Sequence, residues 1–380
     1  MKHPKQHISA YLMPGKNQDI EKLRAVAILL VVLWHYSGIV LAPLGISTHF
    51  LGSWTGVDLF FCISGYVIMK SLIGSIGEQG IGRFLSGFYI KRIFRIWPSA
   101  VGCICAALAM AYLAGKYIGP DFYNDTKKDA VPALLNYANW AFYYKTANHG
   151  GTLLGIFWSL SLEEQFYLII PLLAWFFRRR LLLFSFMLSI PAVWQFCLHR
   201  ESWKVLAWSL RTDALIFGVI IAIIEMNFAQ HLSTFGQNLA IWGSYVSNIM
   251  IPCLILILAT IASDYGARFS TLSVGWAGVV SAVLVAIAAT NRGLVLNHGM
   301  ISPMLLWIGG RSFSIYLFHN FALVIAKGLN LSVLHLSLDP RTFGYYWMII
   351  STLLLLGVFC EANYRLIEIP LRNIGRRLAG

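Results

Sequence analysis

Long apolar runs recur along this chain of 380 residues, and charged residues, glycine or proline separate one run from the next. About 20 apolar residues in a helix cross the hydrocarbon core of a bilayer, so such runs predict membrane-spanning helices. We expect about ten spans, at residues 24–44, 54–73, 96–115, 165–177, 181–197, 213–225, 238–262, 271–290, 313–330 and 346–363. The pattern therefore predicts an all-α integral membrane protein.

Composition supports this class. Hydrophobic residues make up 58% of the chain and charged residues only 12%, whereas charged residues make up roughly 25% of an ordinary soluble domain. A water-soluble enzyme is nearly excluded. No internal repeat or long polar linker interrupts the runs, so we expect one membrane domain over residues 1–380 and no appended soluble domain. The polar start lacks a cleavable signal, and the first span should be retained.

The charge distribution predicts an orientation. The formal net charge is +13, and roughly two thirds of the Lys and Arg residues fall on one side of the predicted spans, which favours that side as the cytoplasmic one. Both termini are then cytoplasmic, and nucleic acid becomes the weaker explanation of the basic balance. The six cysteines lie inside apolar runs without zinc-type spacing, so we expect neither structural disulfides nor a bound metal.

The first span carries two ionisable residues, Arg24 and His35. Eleven residues correspond to almost three helical turns and about 16 Å of rise, so both side chains should share one face and could line one cavity. A histidine titrates close to neutral pH, which suits it to deprotonate an attacking hydroxyl or to carry an acyl group. The alternative is a histidine that only hydrogen-bonds a neighbouring helix.

Three further groups of intramembrane polar residues are candidates for function. Asp58 could orient His35, as a carboxylate does in catalytic triads, or bind the backbone or an arginine. Ser64 and Gly65 of the same span suit close helix packing better than nucleophilic chemistry. Arg92 and Arg95 are three residues apart, so both guanidinium groups lie on one helix face and could bind a phosphate. Positive charge that sets the topology, or contact with lipid headgroups, would also explain them.

Polar residues also mark the predicted outer side, at the starts of the fourth and sixth spans. Glu163 and Glu164 could position sugar hydroxyls or cap a helix. Arg211 and Asp213 could form a local ion pair or part of an acceptor groove.

Two further features lie elsewhere in the predicted spans. His319 is a second histidine within a span, and a structural role is its simpler explanation. At the inner end of the last span, the four-residue spacing predicts an ion pair between Glu361 and Arg365.

Together these stretches resemble the membrane acyltransferase-3 family, the inner-membrane O-acyltransferases that modify bacterial surface and secreted glycans. The resemblance rests on seven motifs in order: Arg24 plus ten residues plus His35, GVDLFFCISGY from Gly56, RIFRIWP from Arg92, WSLSLEEQFYL from Trp158, RTDALIFG from Arg211, SFSIYLFHN from Ser312 and EIPLR from Glu368.

The resemblance implies a multi-pass protein of the cell inner membrane. It would take an acyl group, usually acetyl, from cytoplasmic acyl coenzyme A and deliver it to a hydroxyl of a surface or lipid-linked glycan of the O-antigen (lipopolysaccharide) or exopolysaccharide type. It implies that His35 is catalytic and that Arg24, Arg92 and Arg95 hold the donor phosphates. Asp58 is the second catalytic candidate, on the ground of its intramembrane carboxylate and not of the resemblance. The remaining motif positions would bind substrate on the outer side: Trp158, Ser159, Glu163, Glu164, Arg211, Asp213 and His319.

Two rival classes remain at this stage. A transporter would also place His and Asp within the membrane as a proton relay, although the internal inverted repeats common in transporters are not visible. A lipid-binding scaffold would need the arginines only for topology.

Overall fold

The computed structural model describes residues 17–76, 80–118, 120–144, 153–197, 211–269 and 272–379, and within these ranges the regular elements are all helical. The polar N-terminal segment before residue 17 lies outside the described residues, as do residues 145–152 between the third and fourth predicted spans. The helices are α1 (Gln18–Val40), α2 (Gly56–Ser75), α3 (Ile81–Ile118), α4 (Pro120–Leu134), α5 (Ala138–Tyr144), α6 (Phe157–Phe176), α7 (Leu181–Phe196), α8 (Asp213–Asn227), α9 (Ala229–Ile241), α10 (Gly243–Thr260), α11 (Asp264–Phe269), α12 (Ser273–Ala289), α13 (Ile301–Gly310), α14 (Ser312–Gly328), α15 (Phe343–Asn363) and α16 (Ile369–Leu378).

Fewer helices than predicted have the length and apolarity to cross a membrane. Within the described ranges there are six: Gln18–Val40, Ser53–Ser75, Ile81–Leu113, Gly243–Thr260, Ser312–Val333 and Phe343–Leu378. A seventh arises if α8 and α9, which meet at a bend of 102°, count as one broken span. Helices α7, α12 and α13 are apolar but only 10–17 residues long. The protein is therefore an all-helical membrane protein, while the expected count of about ten stays a prediction.

Helix starts differ most from prediction where charged residues lie inside the helix. The third span was expected to begin at residue 96 and the fourth at 165, but α3 begins at Ile81 and α6 at Phe157. Arg92, Arg95 and Glu163 of these helices line an internal space, and a hydropathy pattern cannot distinguish such residues from charged residues outside the membrane. Helix α1 also begins early, since the Asn17 side chain accepts a hydrogen bond from the Ile20 amide and caps it.

His35 lies far along α1. The helix runs from Gln18 to Val40, so at about 1.5 Å per residue His35 lies roughly 25 Å from its beginning and roughly 8 Å from its end. The ring is therefore nearer the end of the helix that is remote from Arg24.

Helices α2 and α8 make the closest crossing. A Cβ atom on Gly65 would collide with the Leu215 carbonyl oxygen, and one on Gly218 would collide with the Cys62 carbonyl oxygen. Each helix therefore uses a glycine to admit the backbone of the other. The packing role expected for Gly65 is confirmed.

The remaining contacts enclose an internal space. Helix α13 packs on α1, α14 packs on α1 and α15, and α16 packs on α3, where Gly375 sits against Phe94. Residues from both ends of the described chain, Asn17 and Arg376, line this space. The first and last parts of the described chain therefore meet at the same cavity.

Candidate active site

The internal space is a cavity of about 640 Å³, a size typical of small-molecule sites. Its basic lining residues are Arg24, Lys70, Arg92, Arg95, Arg372 and Arg376, and its acidic ones are Glu21, Glu163 and Glu368. Lys70 and Arg376 are exposed and mark its open end, which we call the mouth. Because basic side chains outnumber acidic ones two to one in this lining, the cavity favours an anionic ligand.

Arg24, Arg92 and Arg95, which we call the inner arginines, lie within electrostatic reach of one another. Arg92 and Arg95 both line the cavity from α3, as their three-residue spacing predicts. The guanidinium carbon of Arg92 lies 5.4 Å from the centroid of the Tyr167 ring and 5.6 Å from that of Phe88. These aromatic faces hold the side chain in place while leaving its hydrogen-bond donors available.

Glu163 also faces the inner arginines. Its carboxylate accepts hydrogen bonds from Ser64 and Tyr167, whose hydroxyl oxygens are 2.8 Å apart. The sequence placed this residue on the outer side, apart from the arginines, and that expectation is corrected. Because α6 begins at Phe157, Glu163 is almost two turns inside the helix and shares a face with Tyr167. The next residue, Glu164, is half-buried beside Trp97 of α3.

Tyr316 and Ser159 form the end of the cavity opposite the mouth. Their hydroxyl oxygens are 2.5 Å apart, and the Tyr316 hydroxyl also donates to the Ile156 carbonyl at 2.6 Å. The Phe60 ring completes this wall, with its centroid 6.4 Å from that of Tyr316. We call these three side chains the inner wall: Phe60, Ser159 and Tyr316.

Two histidines meet behind the inner wall. The centroids of the His35 and His319 rings are 4.7 Å apart in an edge-on arrangement, and the His319 ring is 6.0 Å from that of Tyr316. The Nδ1 atom of His35 is 2.9 Å from the Val31 carbonyl, and that of His319 is 2.8 Å from the Tyr316 carbonyl. A carbonyl only accepts, so both Nδ1 atoms donate, and each neutral ring keeps a lone pair on Nε2. Either ring can accept a proton there.

The cavity does not extend to His35. Arg24 lines it, but His35 is absent from the lining formed by the described residues, so the expectation that both line one space is corrected. The eleven-residue spacing does place them on one face of α1, yet Arg24 faces the cavity, whereas His35 contacts His319 of α14, which packs on α1. Tyr36 secures this contact by donating to the His319 carbonyl at 2.7 Å. His319 is fully buried, whereas His35 is exposed.

Asp58 forms an ion pair with Arg211, and an arginine partner is one of the roles that the sequence left open for this carboxylate. Both side chains are at most 1% exposed. The guanidinium carbon lies 5.0 Å from the Trp54 ring centroid and 5.9 Å from that of Trp158. Arg211 therefore has a partner across the fold, and Asp213 is buried at the start of α8.

Known proteins resemble this chain over most of its length. The profile described as an acyltransferase domain, that of the acyltransferase-3 family, matches residues 17–362. The chain belongs to this family. The O-acetyltransferase OatA of Staphylococcus aureus strain NCTC 8325 / PS 47 is 27% identical over 383 aligned residues, which cover 96% of this chain and 58% of the relative. OatA of strain MRSA252 matches with the same figures. The chain thus spans a little over half the length of these relatives, and no solved structure matches it.

Several cavity residues of this acyltransferase-3 chain were not identified as site residues from the sequence. Tyr316, Arg372 and Glu368 lay within quoted family motifs without an assigned role, and Ser64 was expected only to pack. Arg376 had no signal beyond its charge. Among the described residues, no cluster of three or more His, Cys, Asp or Glu side chains is arranged to hold a metal ion.

The predicted pair of Glu361 and Arg365 is confirmed, with Oε1 and Nε 2.5 Å apart. Glu361 also binds Arg311, the residue immediately before α14, and the Arg311 Nε atom is 2.5 Å from the Glu361 Oε2 atom. This pair joins α15 to the start of α14 and so supports the segment that carries Tyr316 and His319.

Proposed function

We propose that this chain transfers an acyl group, acetyl by preference, from cytoplasmic acyl coenzyme A across the inner membrane to a hydroxyl of a surface or lipid-linked glycan of the O-antigen or exopolysaccharide type. The family and the O-acetyltransferase names of its relatives support acyl transfer. The observation that carries the proposal is a basic cavity, open at one end, whose other end abuts a pair of histidines.

The inner arginines are proposed to hold the donor phosphates. Guanidinium forks bind phosphate oxygens bidentately and keep their charge at any physiological pH. Glu163 and its bonded partners Ser64 and Tyr167 lie on the facing wall. A carboxylate there offsets part of the mutual repulsion of the arginines and would make release of the product easier, because a cavity of cations alone would retain a polyanion.

The chemistry is proposed to occur at His35. In the overall reaction the thioester C–S bond breaks, an ester C–O bond forms, and the acceptor's hydroxyl proton ends on the coenzyme thiol. The Nε2 lone pair of His35 would take that proton, or would first accept the acyl group and pass it to the hydroxyl. The buried His319 ring lies against His35 and would contact the bound substrate there.

Donor and histidines are separated by the inner wall, so the proposal requires movement. The thioester reaches His35 only if the Phe60 and Tyr316 side chains turn aside. Tyr316 is held by two hydrogen bonds, to Ser159 and Ile156, each with a net worth of about 1 kcal/mol. Donor binding can supply that amount.

For the acceptor we propose the surface around Trp158, whose half-buried ring packs 6.3 Å from that of Phe61. An aromatic ring offers a stacking surface to a sugar. Asp58, Arg211 and Asp213 are proposed to act by holding Trp158 in place, since the Arg211 guanidinium lies against its ring. Glu164 and Ser159 are the neighbouring polar groups of α6 that would contact the acceptor.

The test uses the full chain reconstituted in lipid vesicles and supplied with acetyl coenzyme A whose acetyl group is labelled. Release of free thiol and labelling of a glycan fraction are measured for the parent protein and for His35→Ala. We expect the substitution to lower turnover at least about 100-fold, with donor binding unchanged because the inner arginines remain. His49→Ala is the matched control, since His49 is exposed and pairs with Asp264 at 2.8 Å. Full turnover in His35→Ala would exclude this residue from the chemistry.

The same vesicles separate the enzyme from a permease that uses an intramembrane His and Asp relay. A permease would move solute without consuming the thioester. If folded parent protein, supplied with donor and glycan, released no free coenzyme A thiol from the donor, that result would favour the permease.

A further inference from the structure

A second set of basic side chains extends from beside the inner arginines to the mouth. It consists of Lys70 on α2 and Arg372 and Arg376 on α16, and we call it the mouth cluster. The function proposed above assigns these residues no role. Their placement shows that the cavity is basic at two levels.

Helix α16 is held so that one face lines the cavity. Glu368, Arg372 and Arg376 are spaced by four residues and therefore share a face, and all three line the space. Gly375 fits against Phe94 of α3, where even a Cβ atom would come within 2.5 Å of the Phe94 Cβ atom. The helix cannot rotate without losing this contact, so its two cavity-facing arginines are fixed in direction.

Arg372 is buried with unused hydrogen-bond donors. Its side chain is 13% exposed, and its Nη1 atom is 3.5 Å from Glu368. Its Nε and Nη2 atoms are inaccessible and have no partner within the described part of the chain. A buried donor without an acceptor is costly. An anionic ligand in the cavity would satisfy these atoms.

Lys70 is positioned in advance. Its ammonium nitrogen is 2.6 Å from Glu225 of α8, and the Tyr66 hydroxyl donates to the other oxygen of the same carboxylate at 2.7 Å. Lys70 is nevertheless 53% exposed, so most of its surface is free for a second anion. The glutamate holds the lysine at the rim without covering it.

The two levels are separated along α2. Ser64 lies level with Glu163 and the inner arginines, and Lys70 follows six residues later, which corresponds to about 9 Å of helical rise. A ligand with one phosphate group would need only one level. Coenzyme A carries phosphate at two places, the diphosphate bridge and the 3′-phosphate of its ribose. Basic side chains that continue from the inner level to the rim match that arrangement.

We propose that the mouth cluster binds a phosphate monoester, the ribose 3′-phosphate of the donor, and so selects coenzyme A over its 3′-dephospho form. This inference rests on the proposed donor but concerns binding alone. Arg372 contributes its unpaired Nε and Nη2 atoms, and the exposed Lys70 and Arg376 close around the phosphate at the rim. The inner arginines hold the diphosphate.

The test is equilibrium binding of coenzyme A and of 3′-dephospho-coenzyme A to the full chain in phosphatidylcholine vesicles, which carry no net charge. We expect the parent protein to bind coenzyme A at least about tenfold more tightly, as expected for charged hydrogen bonds lost with the 3′-phosphate. In Arg372→Gln/Arg376→Gln this ratio should fall to near one, with binding of the dephospho form unchanged. Arg376→Gln alone alters only an exposed side chain and should lower the ratio partway. Arg377→Gln is the matched control, because Arg377 is exposed on the same helix but does not line the cavity.

The inference is overturned if the parent protein binds both ligands equally, or if the double variant weakens both to the same extent. It is also overturned if the variants leave the ratio intact and lose only the binding of phosphatidic acid that is added to the vesicle lipid, because the monoester would then be a lipid headgroup. A protein that shows the expected ratio but never transfers an acyl group would retain the inference and refute the proposed function.

Discussion

Two buried polar regions of this protein differ in how their arginines are balanced. At the start of α8, Arg211 is fully buried against the Asp58 carboxylate and lies against the rings of Trp54 and Trp158. Around the cavity, six basic side chains share three acidic ones. The first region is balanced by the chain itself, whereas the second has a surplus of positive charge facing an open space.

The difference separates a structural role from a binding role. A buried charge is tolerated when a partner of opposite charge and further contacts compensate its lost hydration. Arg211 meets that condition within the fold. The inner arginines and the mouth cluster meet it only in part, so the missing negative charge is expected from a ligand. Substitutions in the first region should therefore change stability, and those in the second should change affinity.

The largest effect is expected from breaking the balanced pair. Arg211→Leu leaves the Asp58 carboxylate buried without its partner, which should lower the free energy of unfolding by about 3–5 kcal/mol. Denaturant-induced unfolding in detergent micelles, followed by tryptophan fluorescence, measures it. The double variant Asp58→Asn/Arg211→Leu removes both charges and should recover much of the loss. An unchanged unfolding midpoint in the single variant would show that the pair of Arg211 and Asp58 does not stabilise the fold.

A smaller effect, on affinity and not on stability, is expected at the inner arginines. Arg92→Lys/Arg95→Lys keeps the charge but loses the two-pronged hydrogen bonds, so the dissociation constant for acetyl coenzyme A should rise by about 10- to 100-fold. Lys91→Gln is the control, because Lys91 is exposed on the same helix and does not line the cavity. Equal donor affinity in the parent and double variants would assign these arginines to topology.

The crossing of α2 and α8 joins the two regions, since α2 carries both Asp58 and Ser64. Gly65→Ala would push the added methyl group into the Leu215 carbonyl, and overpacking of this kind costs about 1–3 kcal/mol. The unfolding midpoint should fall accordingly. Gly74→Ala, at the open end of α2 where nothing lies within 4 Å, should leave the midpoint in place. If both alanine variants behave alike, the crossing is not close-packed.

The smallest effect is expected at the inner wall. Tyr316→Phe removes the hydroxyl that bonds Ser159 and Ile156, which should lower stability by about 1 kcal/mol. The affinity for donor should stay unchanged because the ring still closes the cavity and the arginines are untouched. Calorimetric unfolding and donor titration of the same preparation check both. A large loss of donor affinity would place the phosphates deeper than proposed.

Local pattern was sufficient for part of this picture. Hydropathy indicated the helical membrane class, the three-residue spacing placed Arg92 and Arg95 on one face, and the four-residue spacing paired Glu361 with Arg365. Each of these is a property of a single helix. Helix limits were less well predicted at α3 and α6, because charged residues that face an internal cavity have the same hydropathy as charged residues outside the membrane.

Contacts between helices could not be obtained in that way. The periodicity of α1 fixes the shared face of Arg24 and His35, but only the packing of α14 on α1 brings His319 to the exposed histidine. The same applies to Glu163, which faces the inner arginines because α6 packs beside α2 and α3. A sequence determines which side of a helix is polar. Which other helix that side meets depends on packing between residues far apart in the chain, and the tertiary structure alone decided it here.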